Sequence, residues 1–481
     1  MKPHFIFLLI FSAATLSAQI PGRFNPSIQN SYKIQYFSPA EDNYFAGDPI
    51  PFYHDSTFHV FWLLDSAHHA LGHGGHQWAH CSSVDLVHWT HYPLALPINR
   101  PYEKSIGTGS LFFKDGKFYL YYTTREAGVS DKIEYVSYAT SNDCIHFDKQ
   151  GTGPYLQPTK DYSPVNYRDP HVFYDTKTKL YYLIVTTTRA GFNYIQQEGL
   201  QVYYTSPDMK NWTFKGDFYV AGDDVGFAIP ECPTLFEWNG WYYFMYKVSG
   251  GSYYRMSRSV TGPWTAPVED NIGNDFAMVF KVEPYKNNRR IAVGMVPSRT
   301  GNKDDGSWAY AGNLVFRELF QRADGTIFSG LVKEMMPDQT VTARIPEIPV
   351  IADNGFNERH VDEIPVNAVI TFRVDPAGDY EQAGVMLRFN DRMYYNLKFS
   401  HRQRVVSLGN QSINGVYDLD KPFVVTIVMK DDIIDVCIDG KRCILNRCPE
   451  IKGTRMIFYV RNGRVTFRDI EMDAIKKGSA E

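Results

Sequence analysis

Strand-like segments rich in aromatic residues recur along the first two-thirds of the chain. They begin roughly sixty residues apart, with a shorter last step, at FHVFWLL (58–64), KFYLYYT (117–123), KLYYLIV (179–185), GWYYFMY (240–246) and RRIAVGM (289–295). After each of the first four, a Ser-led turn ends in an aromatic residue, at 83–89, 141–147, 206–212 and 259–264. A repeat of this kind is typical of propeller blades. Because helical periodicity is nearly absent, the pattern predicts an all-β fold that begins with a five-bladed β-propeller over residues 19–335.

Another apolar stretch precedes each of these segments and predicts the innermost strand of its blade. These stretches are DPIPFY from Asp48, TGSLFF from Thr108, DPHVFY from Asp169, ECPTLF from Glu231 and DFAMVF from Asp275. The first residue of each stretch occupies the same position in the repeat. The innermost strands of a propeller converge on its axis. We therefore expect Asp48, Asp169 and Glu231 to meet in one central funnel. Asp275 is expected either to contact a ligand or to order the fifth blade by accepting a hydrogen bond.

The composition favours a large core and argues against a polyanionic partner. Hydrophobic residues make up 44% of the chain and charged residues 21%, which is enough to bury a sizeable core. The formal net charge of -4 provides no field that would attract nucleic acid. Aromatic residues reach 15%, and their flat apolar faces favour strands and can support the C–H faces of sugars.

The blade pattern ends after Lys333. The following proline-bearing stretch, 336–353, is interpreted as a linker or bridging strand. From residue 354 to 475, short alternating strands and the Asp439-Gly440 hairpin signal predict a β-sandwich.

The first 18 residues are typical of a secretory signal. A lysine precedes an apolar run from Phe5 to Ala14, and small residues follow around Ser17 and Ala18. A retained membrane anchor is the alternative, although the run is shorter than the roughly 20 residues that a spanning helix needs. No later segment is long and apolar enough to span a membrane, so we expect a secreted or periplasmic protein.

Cysteines and histidines give little support to a structural or catalytic metal. The six cysteines are too sparse for a disulfide scaffold and match no zinc spacing, although one bridge among Cys437, Cys443 and Cys448 stays open. Histidines at 68, 69, 73, 76 and 80 lie in a Gly-rich segment, where a solvated loop is favoured over metal binding. We expect neither a metal nor a cofactor.

Three converging carboxyl groups suit glycoside hydrolysis. One carboxylic acid protonates the leaving oxygen, and a carboxylate attacks or activates water, across a transition state that resembles an oxocarbenium ion. Glu231 lies between Pro230 and Cys232, an apolar setting that predicts a raised pKa and the role of acid/base. Arg168 is expected to keep a neighbouring carboxylate ionised, which leaves Asp48 and Asp169 as anions.

An ordered set of motifs resembles glycoside hydrolase family 32, in clan J. The set comprises the Asp-Pro at Asp48, WAHCSSVDLVHW (78–89), GTGS (107–110), RDP (168–170), EC (231–232), DFA (275–277) and WAYAGNLVFREL (308–319). The resemblance covers roughly residues 45–335 and implies retaining hydrolysis of β-fructofuranosides through a covalent intermediate. It also implies that Asp48 is the nucleophile, Asp169 the transition-state stabiliser and Glu231 the acid/base.

The chain departs from the family where the sugar is bound. Family members usually carry Asn on both sides of the nucleophile's Asp-Pro, whereas here Gly47 precedes it and Ile50-Pro51 follow it. The usual Tyr-Gln-Tyr-Asn-Pro is replaced by residues 62–66, WLLDS. Because amides that bind hydroxyls select strongly among sugars, their loss makes a furanoside other than an ordinary terminal fructose a serious candidate.

An oligo- or polysaccharide is the expected substrate, and the candidate contacts with it are aromatic platforms and polar side chains. The platforms are Trp62, Trp78 and Trp308, and the polar groups are Thr108, Ser110, Arg168 and Asp275. Two other functions stay open: an inverting hydrolase of arabinofuranosides or xylan, as in the related family 43, and a carbohydrate-binding propeller without catalysis. A transferase is also compatible with the motifs, and the oligomeric state stays open.

Overall fold

The computed structural model describes residues 28–39, 44–66, 75–126, 133–153, 155–190, 198–222 and 228–476. The predicted signal segment and His68, His69 and His73 lie outside these residues. The described residues form 30 β-strands and three short 3-10 helices, at Pro164–Asn166, Thr300–Asn302 and Lys333–Met335. The all-β prediction is confirmed. No helix in the described part of the chain has the length and apolar character that crossing a bilayer requires.

The first twenty strands form five antiparallel blades. In chain order they are β1 Gln29–Tyr32, β2 Tyr44–His54, β3 Thr57–Ser66, β4 Gln77–Ser83 and β5 His88–Leu96 in blade I; β6 Glu103–Lys114, β7 Lys117–Glu126, β8 Glu134–Ser141 and β9 Asp148–Lys149 in blade II; β10 Arg168–Asp175, β11 Leu180–Thr188, β12 Gly199–Ser206 and β13 Thr213–Val220 in blade III; β14 Glu231–Trp238, β15 Trp241–Val248 and β16 Gly251–Ser257 in blade IV; and β17 Met278–Tyr285, β18 Arg289–Arg299, β19 Trp308–Gln321 and β20 Ile327–Gly330 in blade V. Gly312 of β19 pairs with Ala46 of β2, which joins blade V to blade I.

The repeated Ser-led turn has one structure in blades I to III. In blade I the Ser83 hydroxyl accepts the N–H of Leu86 at 2.8 Å, and Asp85 accepts the next two N–H groups at 2.8 Å each. Leu86 has a left-handed backbone, with φ of 65°. The equivalent bonds start from Ser141 and Ser206, with left-handed Cys144 and Met209. The repeat in sequence is therefore a repeat of side chains that replace missing ladder bonds at the strand end.

The remaining strands form the C-terminal β-sandwich. They are β21 Gln339–Val361, β22 Ala368–Pro376, β23 Gln382–Phe389, β24 Tyr395–Ser400, β25 Val405–Leu408, β26 Gln411–Ile413, β27 Phe423–Lys430, β28 Ile433–Ile438, β29 Arg442–Arg447 and β30 Arg455–Ile475. Residues 455–461 of β30 pair with β23, and residues 465–474 pair with β22, so this one strand serves both layers. Such a change of layer is common at bends and bulges.

Of the two interpretations of residues 336–353, a linker or a bridging strand, the structure has a strand from residue 339 onwards. Residues 339–353 belong to β21, which is 23 residues long and pairs with β30 along its length. Among the described strands β21 pairs with β30 alone, so its other edge is open. Pro346 and Pro349 are tolerated there because proline, which lacks an N–H, is accepted on edge strands. The two prolines are therefore typical of an edge strand.

The sandwich packs directly against the propeller through buried polar and apolar contacts. Arg317 of β19 donates to Asp435 of β28 at 2.8 Å, and the Tyr36 hydroxyl donates to the same carboxylate at 2.7 Å. Arg317 and Asp435 are both fully buried. One apolar cluster contains residues of both domains, among them Val315 and Leu445. The six cysteines are buried and unpaired, so the open disulfide among the last three does not form.

Candidate active site

The inner strands of all five blades carry a β-bulge at the same level. The register breaks at Ala46/Pro49, Ile106/Gly109, Arg168/His171, Glu231/Thr234 and Met278/Lys281. In blades III to V the first residue inside the bulge is left-handed, with φ of 57° at Asp169, 54° at Cys232 and 57° at Val279. A bulge bends its strand and re-aims its side chains. All three of these residues line the same pocket at one end of the propeller axis.

The three predicted acids occupy successive positions of the bulge rather than one shared phase. Glu231 is the last paired residue before the break, Asp169 matches the next position, and Asp48 the one after. Aligning the inner strands by their apolar residues did not show this offset, because a bulge adds one residue that the alternation of apolar and polar residues does not reveal. In blade V the counterpart of Glu231 is Met278, so Asp275 precedes the inner strand. Asp275 is exposed and lies outside the pocket that holds the other three acids.

One pocket of about 420 Å³ brings Asp48, Asp169 and Glu231 together. Asp48 is half-buried, with its Oδ2 accepting a hydrogen bond from the Thr108 hydroxyl at 2.5 Å. Its N–H donates to the Tyr310 hydroxyl at 3.1 Å. A Cβ on Gly47 would lie 2.5 Å from that hydroxyl, so only glycine allows Tyr310 to approach. Thr108, predicted as a sugar contact, is buried, lines the pocket and holds Asp48 by this hydrogen bond.

Asp169 is held from three sides and is nearly inaccessible to solvent. Its Oδ2 accepts the Cys232 N–H at 2.9 Å, and its own N–H donates to the Thr123 hydroxyl at 2.8 Å. The Arg168 guanidinium lies 3.7 Å from the carboxylate. Burial raises the pKa of Asp169 to about 6, although Arg168 acts in the opposite direction. Arg168 acts to keep Asp169 ionised, as expected, but burial outweighs it and the pKa of Asp169 lies above its ordinary value.

Glu231 is clamped between two cations. Arg168 donates to its Oε1 at 2.8 Å, and the Lys247 ammonium donates to its Oε2 at 2.7 Å. Burial by itself would raise the pKa of Glu231, but Lys247 and Arg168 outweigh it and lower the pKa to about 2. The expected raised pKa is thus wrong for the free protein, because the cations dominate over the apolar neighbours in sequence.

Lys247 is a site residue that the sequence analysis did not find. It lies opposite Glu231 in the antiparallel pair of β14 and β15. The turn at Asn239-Gly240 is a strong hairpin signal, and counting outward from it would have placed Lys247 near Glu231. Arg168, the other cation that contacts Glu231, also donates to Glu134 at 3.0 Å. Glu134 accepts a further hydrogen bond from Arg125 at 2.8 Å, so this network holds the Arg168 guanidinium in place.

A buried lysine near the acids connects the inner strands of three blades. The Lys281 ammonium, on the inner strand of blade V, donates to the carbonyls of Gly109 at 3.1 Å and Pro233 at 3.0 Å. These carbonyls belong to the inner strands of blades II and IV. Burial lowers the pKa of Lys281, whereas Asp169 and Asp48 act to raise it. This lysine therefore ties three blades together and is close enough to Asp169 and Asp48 to interact with their charges.

Of the three predicted tryptophan platforms, the pocket contains one. Trp308 lines it and is 45% exposed. Trp62 is 1% exposed and packs in the apolar cluster that joins blades I and V. Trp78 is fully buried and donates to the Gly107 carbonyl at 2.9 Å. The predictions for Trp62 and Trp78 are wrong because both faces of a blade are covered by its neighbours.

Ser110 is also not at the pocket. Its hydroxyl accepts the N–H of Val172 at 3.0 Å, which ties blade II to blade III. In the segment 62–66, which departs from the family, Leu63 lines the pocket. His76 of β4 also lines the pocket, and its ring contacts Asp65 of that segment at 3.2 Å. Burial lowers the pKa of His76 to about 4, so this ring is neutral near pH 7. Within the described ranges, no group of three metal-ligating side chains is arranged to hold an ion.

Two curated relatives share part of their length with this chain. Sucrose-6-phosphate hydrolase of Escherichia coli is 28% identical over 310 residues, which are 58% of this chain and 60% of that protein. The protein of the same name from Bacillus subtilis (strain 168) is 29% identical over 194 residues, 39% of this chain and 38% of that protein. The chain thus spans 60% or less of the length of these relatives.

Solved structures resemble the whole fold at low sequence identity. Fructan 1-exohydrolase IIa from Cichorium intybus superposes with a TM-score of 0.72 at 16% identity, covering 94% of this chain and 98% of that one. Sucrose-6-phosphate hydrolase from Lactobacillus gasseri gives 0.70 at 17% identity, covering 93% of each chain. The predicted propeller followed by a sandwich is confirmed. Because the profile for "Glycosyl hydrolases family 32 N-terminal domain" matches residues 38–339, more than half of the chain, the protein belongs to glycoside hydrolase family 32.

Proposed function

We propose that the protein hydrolyses β-fructofuranosides with retention of configuration, by double displacement. The observation that carries the proposal is the meeting of Asp48, Asp169 and Glu231 in one pocket, with Asp48 oriented by Thr108. The names of the relatives, sucrose-6-phosphate hydrolase and fructan 1-exohydrolase, support a fructoside as substrate.

Asp48 acts as the nucleophile. Thr108 holds its Oδ2, so Oδ1 is the oxygen presented to the anomeric carbon. In the first step Oδ1 bonds to that carbon, the glycosidic C–O bond breaks, and Glu231 gives its proton to the leaving oxygen. In the second step Glu231 takes a proton from water, which attacks the anomeric carbon and releases Asp48. Asp169 stabilises the positive charge that develops on the sugar.

Glu231 must carry a proton when the first bond breaks, yet Lys247 and Arg168 hold it as a carboxylate in the free protein. A leaving group that enters beside Glu231 replaces an ion pair with a neutral hydrogen bond and excludes water. Both changes raise the pKa of Glu231 towards the range of a general acid. The leaving group therefore lies next to Lys247.

The sugar subsite recognises its ligand without the usual amides. Leu63 and Met295 contribute apolar surface, and Arg125 and Arg168 contribute fixed donors. Trp308 offers an exposed ring at the rim. Because Leu63 lines the pocket in a segment where amides are usual, arabinofuranosides are the second candidate substrates. An inverting enzyme of that kind would give the opposite anomer first.

The first 18 residues support export, so the substrate is proposed to be an extracellular or periplasmic oligo- or polysaccharide. Sequencing the amino terminus of the mature protein tests this part. A mature protein that still begins at Met1 would contradict it.

The central test is a screen of sucrose, β-2,1 and β-2,6 fructo-oligosaccharides and arabinofuranosides, scored by the monosaccharide released. We expect release of fructose, with the β-anomer first in proton NMR. Asp48→Asn should lose about 10⁴-fold or more in kcat. Asp115→Asn, which changes a turn carboxylate that is 79% exposed, is the matched control. Release of arabinose alone, the α-anomer first, or an active Asp48→Asn protein would overturn the proposal.

A further inference from the structure

Arg125 presents two unused hydrogen-bond groups to the catalytic pocket. It is the next-to-last residue of β7 in blade II, it lines the pocket, and its side chain is only 15% exposed. Its Nε donates to Oε1 of Glu134 at 2.8 Å. No oxygen of the described residues accepts a hydrogen bond from Nη1 or Nη2 of Arg125. The end of this guanidinium is therefore available to a ligand in the pocket.

Arg168, the neighbouring guanidinium, is by contrast engaged on both terminal nitrogens. Its Nη1 donates to Glu134 at 3.0 Å and to Asn166 at 2.8 Å, and its Nη2 donates to Glu231 at 2.8 Å. The two arginines share Glu134, which is the only carboxylate of the described residues in contact with Arg125. A cation with little exposure is costly unless anions or other acceptors surround it. Arg125 therefore has the capacity to bind a second anion.

Arg125 lies on the side of the pocket that holds the proposed nucleophile. Ser105 is opposite Arg125 in the β6–β7 pair, and its hydroxyl accepts the N–H of His76 at 3.1 Å. Burial lowers the pKa of His76, Arg125 lowers it further, and Asp48 acts in the opposite direction. Because the effect of a charge on a pKa falls with distance, Arg125 and Asp48 both lie near this ring. The nucleophile and the free guanidinium end thus border the same part of the pocket.

The acid marks the other side of the pocket. Glu231 is proposed to protonate the leaving oxygen. Two side chains, Glu134 and Arg168, separate it from Arg125 along a chain of hydrogen bonds. Lys247 contacts Glu231 from blade IV at 2.7 Å, whereas Arg125 belongs to blade II. Since the leaving group enters next to Lys247, Arg125 faces the sugar ring that the nucleophile attacks.

The end of a guanidinium fits an anionic oxygen group better than it fits a hydroxyl. Nη1 and Nη2 present two parallel N–H bonds, which match two oxygens of a carboxylate, a phosphate or a sulfate. A hydroxyl uses one of these bonds and leaves the charge, which arginine keeps at any ordinary pH, without a counter-ion. The amides that usually bind sugar hydroxyls are absent from residues 62–66, and Leu63 of that segment lines the pocket. The pocket thus offers a cationic donor where neutral donors are usual.

We propose that Arg125 selects substrates in which the sugar attacked by Asp48 carries an anionic oxygen group on its exocyclic carbon. A carboxylate, a phosphate ester and a sulfate ester share this chemistry. The preferred substrate is then an acidic furanoside, and the charge lies on the sugar that is transferred rather than on the leaving group. This inference rests on the proposed hydrolase function and narrows its substrate class.

The test compares kcat/KM for three forms of sucrose: unmodified, phosphorylated at C6 of the fructosyl ring, and phosphorylated at C6 of the glucosyl ring. A second series compares inulin with inulin whose C6 carbons are oxidised to carboxylates. We expect an anion on the fructosyl ring to raise kcat/KM by about 10- to 100-fold in at least one series, the size of a charged hydrogen-bonded contact. The series that responds identifies the anion as a phosphate ester or a carboxylate.

Variants of Arg125 separate anion recognition from a structural role. Arg125→Gln removes the charge but keeps an N–H donor for Glu134, so it should abolish the preference and change kcat/KM for sucrose by less than about threefold. Arg125→Lys keeps the charge without the planar fork and should retain part of the preference. Lys104→Met, which removes an exposed charge from the same blade, is the matched control and should leave the preference unchanged. Equal losses on charged and neutral substrates in Arg125→Gln would overturn the inference.

Binding separates failure of this inference from failure of the proposed function. Calorimetry should show that the wild type binds fructose 6-phosphate more tightly than fructose, and that Arg125→Gln loses the difference. That result without hydrolysis of any substrate would support the anion site and overturn the hydrolase. Hydrolysis of sucrose and inulin with no gain from either anion, or a preference for the glucosyl phosphate, would overturn the anion site and leave the hydrolase standing.

Discussion

Lys247 and Glu231 face each other across the β14–β15 pair, with the ammonium 2.7 Å from the carboxylate. This contact makes the proposed acid a carboxylate until something displaces the lysine. Since Lys247 also lines the pocket that holds the three acids, binding and protonation are coupled at one residue. On the proposed mechanism, Glu231 therefore becomes an effective general acid only when substrate is bound.

Lys247→Met should move the alkaline limb of the pH profile of kcat/KM to higher pH, by about one unit. Removal of the positive charge raises the pKa of Glu231, so the protonated acid persists to higher pH. Lys247→Arg keeps the charge and should restore the position of the limb. A profile that does not move in Lys247→Met would show that Lys247 does not control the acid.

Thr108→Val should lower kcat by about 10- to 100-fold, because Asp48 loses the hydrogen bond that aims it. Thr108→Ser keeps the hydroxyl and should recover most of the activity. The comparison uses kcat on the best substrate from the screen, with thermal melting to confirm that both variants are folded. Equal activity of the valine and serine variants would contradict the positioning role.

Asp169 should make the protein less stable as the pH rises from about 4 to about 6. Its pKa is raised from 3.8 to about 6, so the folded state favours the protonated form and loses stability as the carboxyl ionises. Asp169→Asn should therefore be more stable than the wild type at pH 7, by about 2 kcal/mol, and similar to it at pH 3.5. Thermal melting at the two pH values measures the difference.

Glu231 affects the pH dependence of stability in the opposite direction and in a different pH range. Its pKa is lowered from 4.5 to about 2, so it contributes stability above pH 4.5 that is lost as the pH falls towards 2. Because Glu231 is present in both the wild type and Asp169→Asn, its loss of stability at pH 3.5 affects the two proteins alike and leaves their difference to residue 169. A variant with the same advantage at both pH values would rule out ionisation of Asp169 as the cause.

Lys281→Met should lower the free energy of unfolding by about 3 kcal/mol, because the Gly109 and Pro233 carbonyls lose a buried charged donor. Lys177→Met, at an exposed lysine of blade III, should be neutral. Urea unfolding followed by tryptophan fluorescence measures both. A Lys281→Met protein as stable as the control would mean that the lysine does not connect the blades.

The sequence by itself determined the architecture. The aromatic period specifies five blades because each repeat carries its own strand pattern, and in blades I to III the Ser-led turn adds its own strand-end hydrogen bonds. The alternating strands near the end of the chain likewise indicate a sandwich. The three acids could be chosen from the sequence because inner strands of a propeller converge, whatever their distance along the chain.

Only the tertiary structure decided the roles of individual side chains. Whether Trp62, Trp78 or Trp308 reaches the pocket depends on which neighbouring blade covers each ring, and alternation cannot tell one buried face from another. The β-bulges place the three acids at different positions relative to the register break, and in blade V the break falls after Met278, which leaves Asp275 before the inner strand. The pKa of Glu231 is set by Lys247 and Arg168, which contact it through space. Electrostatic interaction depends on distance between groups in the folded chain, and sequence neighbours such as Pro230 and Cys232 do not report that distance.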